Sequence, residues 1–366
     1  MIVMKKQLIS VVLLLVSLGW AVPSLAQQQV GRQIAELSRG LTSSTRKFIP
    51  INLDIWKPLP PEMAQYSRSV FRARSLSPES EHTFSGVVFK TQYEGKEGVY
   101  GVVAAHAVAP DLTTNRFLRE KFTAEVFDGN GFIAVEAELV QISSRTMLDL
   151  ALVKFRPEDE KLFTPLSLSL EEIPAEEQIS GLGFGQGQWV STSNRRLLQN
   201  APLSLRTSFF LPLADRPGLC GSAVLNKKKE LLGIHIGSTW DGGLGGEDIG
   251  YATPAKFLNT LVEAYHNDGE AMFPLEINNQ IITWLNIDEF VSYVRLKNSR
   301  GNIIWRRAVH MKFPYNEISA LLPQAQYIEL SINKAVWTGN LLREETLNPR
   351  QVEYDLFKRR IIKESR

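Results

Sequence analysis

Between residues 79 and 268 the apolar positions of this chain fall in short runs rather than helical stripes. The runs are 84–90, centred on Gly86-Val87-Val88-Phe89, then 98–104, 124–127, 133–140, 150–155, 179–182, 189–192, 223–225 and 231–236. Short runs with glycine-rich turns between them, and no alternating long helices, predict an all-β barrel or sandwich. One segment breaks the pattern. Residues 255–265 set Phe257, Leu258, Leu261, Val262 and Tyr265 on one helical face, directly behind Pro254. A second β-pattern follows at 281–285, 290–296, 302–305 and 327–332. Asn298-Ser299-Arg300-Gly301 reads as a hairpin turn within it. This predicts a smaller β-rich, sandwich-like domain over 269–366, with a helical or frayed basic tail at 354–366.

The N-terminal end reads differently. Lys5 and Lys6 precede an apolar run, 8–18, that is too short to span a membrane. Ser24-Leu25-Ala26 is a small-residue cleavage site before Gln27, so 1–26 is expected to be a signal peptide. No cysteine follows the site, which argues against a lipid anchor. The expectation is a secreted or periplasmic chain with no stable membrane insertion once the signal is removed. Residues 27–78 carry Pro50, Pro58, Pro60 and Pro61 and suit an extension or propeptide. The chain has 41 basic and 39 acidic residues, and loss of Lys5 and Lys6 balances them. That balance gives no general reason to expect nucleic acid or an anionic membrane as partner.

The chain has one cysteine, Cys220, in Pro217-Gly218-Leu219-Cys220-Gly221-Ser222-Ala223-Val224. A single cysteine forms no internal disulfide, so it is either a small buried hydrophobe or a reactive thiol. Flanking glycines favour the second reading, because a nucleophile stands on a tight turn whose N–H groups face a substrate carbonyl. Two upstream segments supply partners. Gly101-Val102-Val103-Ala104-Ala105-His106 is an apolar strand ending in a histidine, and Asp149 opens the strand Leu150-Ala151-Leu152-Val153. An imidazole activates a thiol, and a carboxylate behind the ring fixes its tautomer.

The order and wording of these segments resemble the chymotrypsin-fold (trypsin-like) peptidases. Ala104-Ala105-His106 resembles their Ala-Ala-His motif, Asp149-Leu150-Ala151-Leu152 their Asp-φ-Ala-Leu, and Gly218-Leu219-Cys220-Gly221-Ser222 their Gly-x-Ser-Gly-Gly/Ser with cysteine as nucleophile. Gly250-Tyr251-Ala252-Thr253-Pro254 before a helix resembles the last strand of that fold. The resemblance covers about 79–268 and implies a double β-barrel with a C-terminal helix. It also implies an endopeptidase with Cys220, His106 and Asp149 as triad, and Gly218 and Cys220 N–H groups as oxyanion hole. Cysteine at the nucleophile is similar to the picornavirus-type proteases. Ala107 replaces the cysteine that usually follows the histidine, and no Ile-Val-Gly-Gly activation terminus is present. Gly233-Ile234-His235-Ile236-Gly237 resembles the Gly-Ile-His-x-Gly-Gly of those enzymes and of bacterial glutamyl endopeptidases. It implies that His235 lines the first specificity pocket and selects Gln or Glu, with Ile236, Gly237 and Ser238 pairing with substrate backbone. Asp215 stands where the viral enzymes have threonine, and an acid there favours Gln over Glu.

Other readings stay open at this level. The barrel is alternatively an inactive peptidase-like module that binds peptides or a partner protein, with the thiol a relic. The C-terminal region is a candidate anchor or partner site. Ser222 is a rival nucleophile. His82, His266 and His310 have no ligand spacing, and neither a metal nor another cofactor is expected. The stretch 241–246 is glycine-rich without a phosphate-loop pattern, and the basic tail reads as a solvated face.

Overall fold

The computed structural model describes residues 59, 61–74, 83–108, 121–144, 147–171, 178–185, 187–196, 207–210, 218–239, 249–278, 280–309, 315–338 and 341–365. The leader at 1–26, most of segment 27–78, Asp215 and the stretch 241–246 lie outside the described residues.

The first apolar runs become seven strands: β1 Val70–Arg74, β2 Thr83–Tyr93, β3 Lys96–Ala104, β4 Lys121–Phe127, β5 Phe132–Ile142, β6 Leu150–Phe155 and β7 Leu166–Ser167. Their order is β1-β4-β5-β6-β3-β2-β7, and β1 also pairs with β2, so six antiparallel strands close into a barrel. Closure removes free edges but forces backbones together at the seam. Phe71 of β1 lies opposite Gly86 of β2. A Cβ at Gly86 would stand 2.0 Å from the Phe71 ring. That ring is fully buried and packs edge-on against Phe155 at 5.6 Å.

The second sheet holds β8 Gln178–Gly185, β9 Gln188–Arg196, β10 Thr207–Phe210, β11 Ala223–Leu225, β12 Leu231–Thr239 and β13 Ile249–Pro254, in the order β10-β13-β12-β11-β8-β9. Arg72 joins the two sheets. Its Nε lies 2.6 Å from Glu125 Oε2, its Nη1 donates to the Gly187 carbonyl at 2.8 Å, and the guanidinium covers the Phe132 ring. Phe127, Phe132, Phe184 and Trp189 pack around this bridge.

The helix expected at 255–265 runs Phe257–His266 and buries Phe257, Leu258, Leu261, Val262 and Ala264. It leads the chain from β13 back onto the β2–β3 hairpin. His266 stacks on Tyr93 at 4.3 Å, with Nε2 3.0 Å from the Tyr100 hydroxyl. Beyond it lie a ribbon, β14 Met272–Ile277 with β15 Gln280–Asn286, and a five-stranded sheet. The latter holds β16 Glu289–Lys297, β17 Ile303–Ala308, β18 Tyr327–Thr338, β19 Leu341–Asp355 and β20 Arg360–Ser365, ordered β17-β16-β18-β19-β20. The turn at 298–301 forms as expected, with Asn298 Oδ1 accepting from the N–H groups of Arg300 and Asn302. Arg350 ties ribbon to sheet, reaching the Trp284 carbonyl at 2.7 Å and Glu289 at 2.9 Å.

Two expectations change. Val70–Arg74, read as part of the extension, is a barrel strand. Its charged residue, Arg72, is buried in the bridge just described and hides the apolar run around it. The tail is not helical: Asp355 Oδ1 accepts from the N–H groups of Phe357 and Lys358, and the resulting turn folds β20 back onto β19. A short helix, Tyr315–Leu321, was not anticipated.

The seam of the barrel is testable. Gly86→Ala forces a methyl into the Phe71 ring. Denaturant unfolding is expected to report a loss of about 1–3 kcal/mol, the usual cost of overpacking. An unchanged midpoint would contradict the closed seam.

Candidate active site

His106 sits in the one-turn helix Ala105–Val108 directly after β3. The end of β3 is held by β6. Ala104 pairs with Leu150, and Ala105 N–H donates to the Asp149 carbonyl at 2.9 Å. Asp149 itself has φ 55°, a left-handed conformation that a non-glycine residue adopts at a cost of about 1–3 kcal/mol. Its bonds offset that cost. Its N–H donates to the Ser144 carbonyl at 3.1 Å. Its carboxylate accepts twice from His106, through Oδ1 from the backbone N–H at 3.0 Å and through Oδ2 from Nδ1 at 2.9 Å. One carboxylate thus fixes both the position of the histidine backbone and the orientation of its ring.

The surroundings keep this geometry. Ser143 Oγ caps the start of β6, accepting from Leu150 N–H. From the second sheet, Thr253 Oγ1 donates to the Leu148 carbonyl at 2.6 Å. Asp149 is 3 % exposed, so its charge is little screened by water.

With Nδ1 committed to Asp149, the second ring nitrogen, Nε2, is left for Cys220, which lies close enough to act on the imidazole. Burial pushes the His106 imidazole down. The charge and hydrogen bond of Asp149, with the hydrogen bond and charge of Cys220, outweigh burial and raise it to about 10.

Cys220 stands on a turn shaped by two glycines, with Gly218 at φ 99° and Gly221 at φ 93°. A Cβ at Gly221 would lie 1.9 Å from the Ser85 carbonyl oxygen, so only glycine fits. Gly221 N–H donates to the His235 carbonyl at 2.7 Å, and His235 N–H to the Ser222 carbonyl at 2.9 Å. Ser222 is buried with its hydroxyl 3.1 Å from Ser85 Oγ, which removes it as a nucleophile at the surface of the turn. Among the described residues, the N–H groups of Gly218 and Cys220 have no acceptor.

His235 is buried on β12, its main chain bonded to Gly221 and Ser222, the two residues that follow the cysteine. β11 pairs with β12 only from Leu231 to Ile234, while β13 accompanies β12 to Thr239. From Ile236 to Thr239 the β11 side of β12 has no strand partner among the described residues. A bulge between His235 and Gly237, with Gly237 at φ 148°, marks the start of that open edge. The structure thus brings Cys220, His106, Asp149 and Gly218 together, with His235 adjoining the turn. Asp215 and the Ser238 side chain lie outside the described residues. Sequence reasoning missed Ser85 and Thr253, which brace the site across the two sheets. The only signal at Ser85 was a small polar residue inside the apolar run 84–90.

Since raising a histidine above its usual 6.5 favours the folded state while it is protonated, this contribution is complete below about pH 6.5 and is lost as pH rises through about 10. The thermal midpoint of the wild type is expected to fall between these limits. His106→Ala is expected to flatten that fall. Parallel pH curves would contradict the charged pairing.

The trypsin-like peptidase domain family matches residues 84–234. No curated protein matches the chain. Among solved structures, the inactive form of Rv3671c from M. tuberculosis H37Rv, a serine-to-alanine mutant, is similar at 17% identity and a TM-score of 0.40, over 58% of this chain and 96% of that one. The apo protease domain of MamO from Magnetospirillum magneticum is similar at 15% identity and a TM-score of 0.37, over 53% and 95% respectively. The chain therefore has a trypsin-like fold of mostly β architecture, similar over 84–234 to the peptidase domain family, followed by further β-sheets in its C-terminal region.

Proposed function

We propose that this chain is a secreted cysteine endopeptidase working through a Cys220–His106–Asp149 triad. The observation that carries the reading is the Asp149 carboxylate bonded to both the backbone N–H and Nδ1 of His106, with Cys220 on its glycine turn close enough to act on the same ring. With the imidazole already protonated, Cys220 attacks the scissile carbonyl as a thiolate in an ion pair, without first passing its proton to a neutral base. The oxyanion forms against the N–H groups of Gly218 and Cys220. His106 then gives its Nε2 proton to the leaving amine, which departs and leaves a thioacyl-enzyme. The ring, now neutral, takes a proton from water, and the resulting attack releases the acid and restores the pair. Asp149 holds the ring in orientation throughout.

The open edge of β12 from Ile236 to Ser238 suits an extended substrate strand, which would add to the sheet by main-chain hydrogen bonds. His235, beneath that edge, supports a preference for Gln or Glu before the scissile bond. Asp215, five residues before Cys220 in the sequence, supports a tilt of that preference to Gln. The leader at 1–26 supports export to the periplasm or beyond. Among the described residues no helix is long and apolar enough to cross a membrane. The C-terminal sheets are assigned an anchoring or partner-binding role.

Cys220→Ala is expected to abolish peptide cleavage and iodoacetamide labelling while the far-ultraviolet circular dichroism is unchanged, and Cys220→Ser to keep only a trace of activity. Cleavage by Cys220→Ala at the wild-type rate would sink the proposal. Labelling no faster than that of a small free thiol would return the barrel to a peptide-binding role.

The ion pair predicts a pH signature. Because His106 stays protonated below about 10, alkylation of the wild type is expected to remain fast into mildly acidic solution. In His106→Ala it is expected to slow at neutral pH and to recover only towards about 8.5, as for an ordinary thiol. Superimposable pH–rate curves would remove His106 from the site.

Specificity is read from a peptide library. Cleavage is expected after Gln ahead of Glu, and His235→Ala is expected to flatten that preference without unfolding the domain. Cleavage after Arg, Lys or large apolar residues, insensitive to His235→Ala, would show the pocket to be built on other groups.

A further inference from the structure

We propose that Ser85, a residue of the first barrel, is a positioning residue for the nucleophile turn, and that its hydroxyl sets the oxyanion donors of Gly218 and Cys220. The proposal rests on the thiol chemistry above and adds to it a residue that belongs to no recognised part of the triad.

Ser85 is fully buried on β2, in the interface between the two sheets. Its hydroxyl has one proton and two lone pairs. Phe184 N–H donates to Oγ at 2.8 Å, and the Ser222 hydroxyl donates to it at 3.1 Å. Both lone pairs are thereby occupied. Two carbonyls remain for the single proton, Gly218 at 2.8 Å and Phe184 at 3.1 Å. The shorter contact is with Gly218. The Ser85 backbone acts on the same turn, because its N–H donates to the Cys220 carbonyl at 3.1 Å. One residue therefore grips the tripeptide Gly218-Leu219-Cys220 at both ends, by side chain at the first carbonyl and by main chain at the last. The Ser85 carbonyl also lies against Gly221, closing the turn from the same side.

The grip matters because of what Gly218 is. A glycine at φ 99° has neighbouring conformations open to it on every side, and its peptide plane rotates at little cost. A partly buried carbonyl deprived of this donor, the one it has among the described residues, gains by rotating to find another. Rotation of the Gly218–Leu219 peptide turns ψ of Gly218 and φ of Leu219, the torsions that set how the two flanking peptides, which carry the N–H groups assigned to the oxyanion, face each other. The hydroxyl of Ser85 is the contact that opposes this rotation. It reaches across 133 positions of sequence, from one sheet to the other. The oxyanion donors are thus set by the first barrel, while the residues that carry them belong to the second.

The distinction between this role and mere packing is kinetic. Alkylation by iodoacetamide needs the thiolate and forms no oxyanion. Acyl transfer needs both. The test uses the full chain with p-nitrophenyl acetate as acyl donor, Cys220→Ala as the blank, and iodoacetamide as the thiol probe. Ser85→Ala is expected to lower kcat by about 10²-fold, the lower end of the loss seen when one oxyanion donor is removed. KM is expected to stay nearly unchanged, as for an interaction made only in the transition state. The alkylation rate is expected to match the wild type. Ser85→Thr, which keeps the hydroxyl, is expected to restore turnover. Equal loss of alkylation and acyl transfer in Ser85→Ala would overturn the proposal, and so would a folded Ser85→Thr as slow as Ser85→Ala. Should Ser85→Ala fail to fold, the threonine variant carries the test alone: turnover near the wild type supports the role, and its loss overturns it. A wild-type chain whose Cys220 resists iodoacetamide would instead overturn the cysteine-peptidase reading itself, which separates the two failures.

Discussion

The double acceptance by the Asp149 carboxylate is the constraint on which the rest of the site depends. Its two oxygens hold the backbone N–H and the Nδ1–H of the same histidine. Neither bond is available unless Asp149 takes its left-handed conformation, and that conformation stands only because β3, β6 and Ser144 bracket it. The strain is local and the stabilisation is distributed. The ring is left with one nitrogen to turn towards Cys220, and with a proton affinity raised by the poorly hydrated charge of Asp149 behind it and by Cys220 in front. In the proposed mechanism, reactivity at Cys220 is governed from β6 as much as from the turn that carries the thiol.

The site also depends on two sheets keeping their relation. His106 and Asp149 come from the closed barrel, and Cys220 and His235 from the second sheet. Small polar side chains cross the junction in both directions. Thr253 reaches from β13 to the Leu148 carbonyl, and Ser85 reaches from β2 to Gly218. Arg72 and the aromatic cluster about Trp189 add bulk to the same boundary, and the helix Phe257–His266 clasps the β2–β3 hairpin. A chymotrypsin-like domain without disulfides must obtain this rigidity from buried hydrogen bonds and packing, since Cys220 is the sole cysteine in the chain.

Much of this was legible beforehand, for physical reasons. Strands buried on both faces appear as unbroken apolar runs, so β2, β3, β6, β8, β11 and β12 stood out. The helix at 257–266 announced itself by its period. The His106–Asp149 pair was legible because a histidine and an aspartate at strand ends are rarely placed so by packing alone, and the tight turn at Cys220 because glycine stands close on both sides of it. What escaped was whatever depended on distant partners. β1 was hidden by Arg72, a charge that pattern reading assigns to the surface and that the fold buries against Glu125 and the Gly187 carbonyl. The tail, expected to be helical or frayed, is a strand because one carboxylate, Asp355, caps the turn that folds it back onto β19. Ser85 gave almost no signal, because its meaning lies in partners 99 to 137 positions away.

The central claim is that Asp149 and Cys220 together hold His106 as a cation. Titration of the His106 imidazole by nuclear magnetic resonance, in otherwise unmodified protein, reads that charge directly. The account predicts that the ring stays protonated through neutral pH and releases its proton only near 10. Titration at the ordinary histidine value, about 6.5, would contradict it.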